Sequence, residues 1–95
     1  MEDEIDNKVD YSEIFLRYML TLQSGAKIAL GDIKHPDYNE FKINLKEARE
    51  IINILGMLYQ KTKGNLNKYE EEILDNVLSS LRFSYVSKIN DKNDE

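Results

Sequence analysis

The sequence predicts an all-α protein in which three helices pack antiparallel, as a first helix followed by a hairpin of two helices joined by a turn. Apolar residues recur at steps of three and four in three separate segments, the spacing that places them on one face of an α-helix. Each segment opens with aspartate or asparagine, which cap helix N-termini, and glycine follows the first and second segments. With 95 residues, the chain is expected to form one small domain.

The first helix is predicted to begin after Asp10, because Glu13 three residues later completes a capping box. Its apolar face comprises Ile14, Phe15, Tyr18, Met19, Leu22, Ala26, Ala29 and Leu30. Gly31 follows this face and is expected to end the helix in a left-handed conformation.

The second and third helices are predicted from the same capping pattern. Asn44 with Glu47 opens the second helix, and Asn67 with Glu70 opens the third. The apolar face of the second comprises Leu45, Ala48, Ile51, Ile52, Leu55, Leu58 and Tyr59. That of the third comprises Ile73, Leu74, Val77, Leu78, Leu81 and Tyr85, with Val86 as a further candidate.

The most charged stretch, KTKGNLNKYEEE at residues 61–72, is interpreted as the corner between these two helices. Lys61 and Lys63 lie where cations suit the end of a helix, and Gly64 lies where the chain turns with positive φ. The three glutamates fall in the first turn of the third helix, where anions are favoured. The stretch lacks the spacing of a phosphate-binding loop, and its glutamates would repel the phosphates of DNA.

The acidity of the chain is concentrated at its two ends. Residues 1–10 carry five acidic residues and one lysine, and residues 90–95 carry three acidic residues and one lysine. The net charge of −5 therefore leaves residues 11–89 with a charge of +1. We predict two disordered acidic tails, 1–10 and 90–95, flanking a single three-helix domain at 11–89, because the tails have too few apolar residues to pack.

The sequence predicts a cytoplasmic protein. It contains no cysteine, so neither a disulfide nor a thiolate-bound metal is available. Its N-terminus is acidic, unlike a secretory signal. The longest mainly apolar stretch, from Ile14 to Leu22, is interrupted by Arg17 and is too short to span a bilayer.

The stretches YSEIFLRYMLTLQSGAKIALGDI, INLKEAREIINILGMLYQKTKGNL and EEEILDNVLSSLRFSYV carry a family signal. Its most specific residues are Asn44, Leu45, Ala48, Ile52, Leu55, Met57, Leu58, Lys61, Thr62, Lys63, Gly64, Asn65 and Leu66. Over residues 11–86 the chain resembles the family named domain of unknown function 1844 (DUF1844), which consists of small helical bacterial proteins. The resemblance implies a helical structure and no established activity. The segment around His35 and Pro36 departs from the connector expected of the family.

The only histidine, His35, lies near Asp32, Asp37 and Glu40, and these residue types can coordinate a divalent ion. They lie, however, on a connector that contains Pro36 and lacks helix-anchored spacing. We therefore expect no metal, no cofactor and no catalytic residues. A hydrolase or a metal-dependent enzyme is the least favoured interpretation.

The first helix is apolar around more of its circumference than packing against two other helices requires, because Leu16, Leu20 and Ile28 add to its core face. Gly25 and Ala29 would allow another helix to approach closely. We predict a homodimer or a larger assembly, with an unidentified protein partner as a further possibility. The predicted interface comprises Phe15, Leu16, Met19, Leu20, Gly25, Ile28 and Ala29.

These observations predict a non-catalytic oligomerising or protein-interaction module. The alternative is a weak RNA- or ribosome-associated binding protein, using a basic patch of Lys61, Lys63, Lys68 and Arg82. The neighbouring glutamates and the lack of interleaved exposed aromatic residues disfavour nucleic acid.

Overall fold

The structure, a computed structural model, describes residues 9–93 of the chain. In this range three helices occur, α1 at Tyr11–Ala29, α2 at Leu45–Lys61 and α3 at Lys68–Asn93. The described residues form no strand, and their single β-type pairing is an isolated bridge between His35 and Glu40. None of the helices in this range combines the length and the apolar character needed to cross a membrane. The predicted all-α, three-helix fold is confirmed.

Helix α1 begins and ends at the residues that the sequence indicated. The Asp10 side chain accepts a hydrogen bond from the Glu13 backbone N–H at 3.1 Å. Past the end of the helix, Gly31 has a φ of 81°, a conformation that glycine adopts without steric cost. The Asn44 backbone N–H then donates to the Ala29 carbonyl at 2.8 Å, so the start of α2 is attached to the end of α1.

Helices α2 and α3 are joined by the predicted corner. Asn44 caps α2 by accepting from the Glu47 N–H at 3.1 Å. The Thr62 hydroxyl bonds the Leu58 carbonyl at 2.6 Å at the other end of that helix, and Gly64 turns the chain with a φ of 86°. The Asn44 side chain thereby satisfies a backbone N–H that the start of α2 leaves without a partner, and the Leu58 carbonyl accepts from both the hydroxyl and the backbone N–H of Thr62.

Helix α3 is longer than predicted. It continues to Asn93, so residues 90–93 are helical rather than part of an irregular tail from residue 90. The segment after Tyr85 contains neither glycine nor proline, and nothing in it stops a helix that packing has already established. Of the predicted N-terminal tail, residues 9 and 10 are described, and Asp10 caps α1. Residues 1–8 and 94–95 lie outside the described residues.

The three helices run up, down and up, so α1 and α3 are parallel. At one end of the bundle the Ser12 hydroxyl in α1 bonds a carboxylate oxygen of Glu70 in α3. At the other end the Lys88 ammonium lies 3.5 Å from a carboxylate oxygen of Asp32, just past α1. These two contacts show that the N-terminal ends of α1 and α3 lie at one end of the bundle and their C-terminal ends at the other.

The core lies along the common axis of the three helices and receives side chains from each. Its buried residues are Met19, Ala26, Ala29, Leu30, Ala48, Ile52, Leu55, Leu74, Val77, Leu78 and Leu81. Two residues assigned to the core face of α1 are exposed instead: Ile14 and Tyr18 each retain 51% of their accessible surface. At about 100° per residue, both lie well round the helix from Met19, the centre of the buried side. Val86 is likewise exposed, whereas Tyr85 is half-buried.

Candidate functional site

A row of large apolar side chains remains at the surface along α1. Tyr11, Ile14 and Tyr18 follow one another at three- and four-residue spacing, so they lie on the same side of the helix. Gly25, seven residues after Tyr18, extends the same side. A side chain added at Gly25 would lie 3.4 Å from Ile51 of α2, which shows that this side of α1 borders α2.

Helix α2 contributes exposed apolar residues to the same border. Ile54 lies about 60° around α2 from Ile51 and therefore close to the border with α1. Met57 lies about 120° from Ile51, so it continues the exposed apolar surface around α2, away from α1. Because α1 and α2 are antiparallel, this part of α2 lies beside the N-terminal half of α1. We call this region the α1–α2 surface; its exposed members are Tyr11, Ile14, Tyr18, Ile54 and Met57.

A second, smaller apolar feature lies on the opposite side of α1. Leu16 and Leu20 line a shallow groove with Tyr69 of α3. Leu20 retains 53% of its surface and Tyr69 63%, whereas Leu16 is half-buried. The Ser12–Glu70 hydrogen bond holds the two helices together beneath this groove.

The interface predicted from the sequence is divided by the fold. Met19 and Ala29 are buried in the core of the chain itself, so they are not available to a partner. Phe15, Leu16 and Ile28 are half-buried.

Gly25, predicted to permit close helix approach, borders Ile51 at a distance that alanine would also tolerate. Of the predicted set, Leu20 is the member with more than a third of its surface exposed. Two residues of the exposed apolar row on α1, Ile14 and Tyr18, had been assigned to the core, because helical spacing groups residues by side but does not say which side is covered.

The residues of the predicted basic patch are not brought together. Lys61, Lys63 and Lys68 lie at or beside the corner between α2 and α3, next to the glutamates of the first turn of α3. Arg82 lies fourteen residues after Lys68, about 21 Å further along α3. Its guanidinium would be 3.2 Å from a side chain added at Gly56, so it lies across the middle of α2.

The connector between α1 and α2 forms a hydrogen-bonded loop around His35. The backbone N–H of His35 donates to the Glu40 carbonyl at 2.7 Å, and the Asn39 N–H donates to the His35 carbonyl at 2.8 Å. The imidazole Nδ1 accepts from the Asp37 N–H at 3.1 Å, and the ring lies 4.6 Å from that of Tyr38. Within residues 9–93, no three histidine or acidic side chains converge in an arrangement that could hold a metal ion.

This loop encloses a cleft with the start of α2 and the last turns of α3. The cleft has a volume of about 920 Å³. We call it the loop cleft; it is lined by Ile28, Ala29, His35, Tyr38, Lys42, Ile43, Asn44, Leu45, Lys46, Glu47, Lys88 and Asp91. The cleft could not be predicted from the sequence, because its lysines come from three separate segments: the loop, α2 and the end of α3.

The fold and these surfaces describe a small three-helix protein with an exposed apolar side and a cleft at one end. A family model described as "Domain of unknown function (DUF1844)" matches residues 13–87, which include most of α1, the loop, α2 and most of α3. The chain therefore belongs to the DUF1844 family, as the resemblance implied. No curated protein and no solved structure matches the chain.

Proposed function

We propose that the protein is a non-catalytic interaction module that associates with a second copy of itself through the α1–α2 surface. The observation that carries the proposal is the exposed row of Tyr11, Ile14 and Tyr18 on α1, together with exposed Ile54 and Met57 on the neighbouring helix α2. Contiguous exposed apolar residues of this size are uncommon on monomers and are typical of protein interfaces. Tyrosine and methionine are among the residues enriched at such interfaces.

The area of the surface is compatible with a dimer. A large aromatic side chain can bury about 150–250 Å², so five half-exposed side chains offer roughly 500 Å². A stable interface buries about 800 Å² on each partner, and the polar residues at the rim would contribute the remainder.

A second copy is favoured over a different partner because the surface is apolar and the helical domain is nearly neutral. A charged partner would find no strong opposite potential to select it. In a two-fold dimer each residue of the surface acts twice, so a few apolar side chains contribute to both halves of the contact. Burial of each contributes roughly 1.5–3 kcal/mol when complete, and about half as much for a half-exposed residue.

The test compares two glutamate substitutions on the same helix. Tyr18 and Leu20 are almost equally exposed, at 51% and 53%, but lie on different sides of α1. Light scattering at about 50 µM should give the wild-type protein twice the chain mass of 11.2 kDa. Tyr18→Glu should give the mass of one chain, because burying a carboxylate in an apolar contact is costly, whereas Leu20→Glu should remain dimeric. A monomeric wild type, or a Leu20→Glu monomer beside a Tyr18→Glu dimer, would refute the proposed surface.

RNA binding has less support from the geometry. The three lysines at the corner lie beside three glutamates, and the Arg82 guanidinium lies across the middle of α2 rather than at the corner. A single-stranded RNA of mixed sequence should therefore show no saturable binding at 150 mM salt. Tight binding that disappears in Lys61→Gln/Lys63→Gln/Lys68→Gln would instead favour the RNA-associated role.

A further inference from the structure

We propose that the loop cleft binds a small organic anion, in which a phosphate or carboxylate group is attached to an apolar or aromatic body. The cleft lies at the end of the bundle where α1 ends and α2 begins. The α1–α2 surface lies along the other halves of the same helices, so the two proposals can succeed or fail independently.

The walls of the cleft are held by hydrogen bonds of the backbone. The loop is closed on itself by the His35–Glu40 pair, and it is attached to α1 because the Asp32 N–H donates to the Lys27 carbonyl at 2.9 Å. The Asn44 N–H bonds the Ala29 carbonyl and fixes the other end of the loop. A site whose walls are formed in this way needs little ordering when a ligand enters, which lowers the entropic cost of binding.

The size of the cleft suits a small molecule. Binding sites for small molecules commonly have volumes of about 300–1,000 Å³, combining an apolar lining with a few polar groups that fix the orientation of the ligand. The loop cleft, at about 920 Å³, lies within that range of volumes, and its lining is about as polar as it is apolar. Its apolar residues are Ile28, Ala29, Ile43 and Leu45.

Three lysines surround the cleft and determine the charge of the ligand. Lys42, Lys46 and Lys88 outnumber the two carboxylates that line it, Glu47 and Asp91. The Lys88 ammonium is 3.5 Å from Asp32, a long and partly exposed ion pair that leaves it able to bind another anion. With Asp32 included, three carboxylates balance the three lysines, so an anion would be bound by direct contact with the ammonium groups rather than by a net positive charge.

Aromatic rings on the loop favour an apolar or planar body next to that anion. Tyr38 and His35 have ring centroids 4.6 Å apart, and the Lys42 ammonium lies 4.2 Å from the centroid of the Tyr38 ring. This contact places a cation beside an aromatic surface. A fully hydrated inorganic ion would use the lysines but leave the apolar wall in water, so a ligand with both parts should bind more tightly.

The binding test uses the full chain and four probes. Binding of each probe is measured from the amide chemical shifts in NMR spectra. Phenyl phosphate and benzoate each combine a ring with an anion, whereas inorganic phosphate and phenol each supply one part. Either ring-bearing anion should cause saturable shifts confined to residues 28–47 and 84–91, with a Kd at least about tenfold lower than that of inorganic phosphate or phenol. The better of the two identifies the anionic group. Failure of both to saturate these shifts would overturn the proposal.

Charge-matched variants distinguish the cleft from general attraction to lysine. Lys42→Gln/Lys46→Gln/Lys88→Gln should raise the Kd at least about tenfold. Each exposed lysine–anion pair contributes up to about 1 kcal/mol, and a tenfold change in Kd corresponds to about 1.4 kcal/mol. Lys61→Gln/Lys63→Gln/Lys68→Gln removes the same charge at the other end of the bundle and should change the Kd less than about twofold. Equal weakening in the two triple variants would show non-specific attraction and refute the site.

A third variant tests the apolar wall without changing charge. Tyr38→Ala removes a ring that is largely exposed, so the fold should persist, as circular dichroism would confirm. Tyr38→Ala should lower the affinity for the ring-bearing anion severalfold and leave the affinity for inorganic phosphate unchanged. An unchanged affinity for both probes would contradict a role for the aromatic wall and therefore the proposed ligand class.

Discussion

Ser12, in the first turn of α1, donates a hydrogen bond of 2.7 Å to Oε2 of Glu70, in the first turn of α3. The other carboxylate oxygen of Glu70 accepts from the Asn67 backbone N–H at 2.9 Å, and Asn67 in return accepts from the Glu70 N–H at 2.8 Å. Glu70 is buried, with 9% of its surface exposed. One carboxylate therefore completes the capping box of α3 and attaches that helix to α1.

Replacing Glu70 should be more costly than replacing its neighbour. Glu70→Ala leaves the Ser12 hydroxyl and the Asn67 N–H without their acceptor, so the free energy of unfolding should fall by about 1–3 kcal/mol. Glu71→Ala removes the same charge from the same helix turn at an exposed position and should cost less than about 0.5 kcal/mol. Urea unfolding measures both changes. Equal losses would mean that the charge at the helix start, rather than the buried hydrogen bonds, is what stabilises the fold.

A double-mutant cycle should show that Ser12 and Glu70 are coupled. Ser12→Ala alone should cost about 0.5–1.5 kcal/mol, the usual net contribution of one hydrogen bond. In the Glu70→Ala background the same substitution should cost almost nothing, because the bond is already lost. Additive effects in the double variant would show that the hydroxyl and the carboxylate act independently.

The capping boxes were predictable from the sequence, and the contact between them was not. Asn67 and Glu70 are three residues apart, and a capping box is defined by that local spacing. Ser12 is 58 residues away from Glu70 in the chain, and no local signal connects the two. The positive φ angles of Gly31 and Gly64 were predictable for the same reason as the caps, because each depends on the end of one helix.

The candidate surfaces were predicted less well, for a physical reason. The spacing of Ile14 and Tyr18 shows that they share a side of α1 with other apolar residues. Whether that side meets α2, α3 or water depends on how the helices are rotated against one another, which helical periodicity does not determine. The loop cleft was harder to predict, because Lys42 and Lys88 line the same cleft only once the bundle has formed.

The two glycines with positive φ should differ in their sensitivity to alanine. A Cβ atom added at Gly31 would lie 2.6 Å from Cγ1 of Ile43. A Cβ atom added at Gly64 would have no such neighbouring atom within 4 Å. Gly64→Ala should therefore cost only the left-handed conformation, about 1–2 kcal/mol. Gly31→Ala adds a steric clash and should lower the melting temperature further. Equal effects in a thermal unfolding experiment would mean that Ile43 moves aside freely.

Alanine at Gly25 should be tolerated or stabilising. The added methyl group would lie 3.4 Å from Ile51, an ordinary van der Waals distance, and the backbone there is helical. Glycine within a helix costs up to about 1 kcal/mol relative to alanine. The melting temperature of Gly25→Ala should therefore be unchanged or higher. A clear loss of stability would restore the idea that close helix approach requires glycine at this position.

Metal ions should not affect the stability of the protein. The imidazole Nδ1 of His35 already accepts a hydrogen bond from the Asp37 N–H, and the neighbouring carboxylates do not converge on it. A chelator should leave the melting temperature unchanged, because ligands that are not gathered by the fold contribute no binding energy to it. A stoichiometric rise in melting temperature with zinc or manganese, abolished by His35→Ala, would contradict this expectation.

If the protein associates through the α1–α2 surface, its melting temperature should depend on protein concentration. Binding that occurs only between folded chains stabilises them by mass action, by about 2.7 kcal/mol when the partner is present at a hundred times its Kd. For a domain of this size 1 kcal/mol corresponds to roughly 4–8 °C, so a hundredfold increase in concentration should raise the melting temperature by several degrees. Tyr18→Glu should remove this dependence, because Tyr18 lies within the proposed contact. Leu20→Glu, equally exposed on another side of α1, should preserve it. Differential scanning calorimetry of the three proteins across that range measures the effect, and a wild-type melting temperature independent of concentration would argue against the dimer.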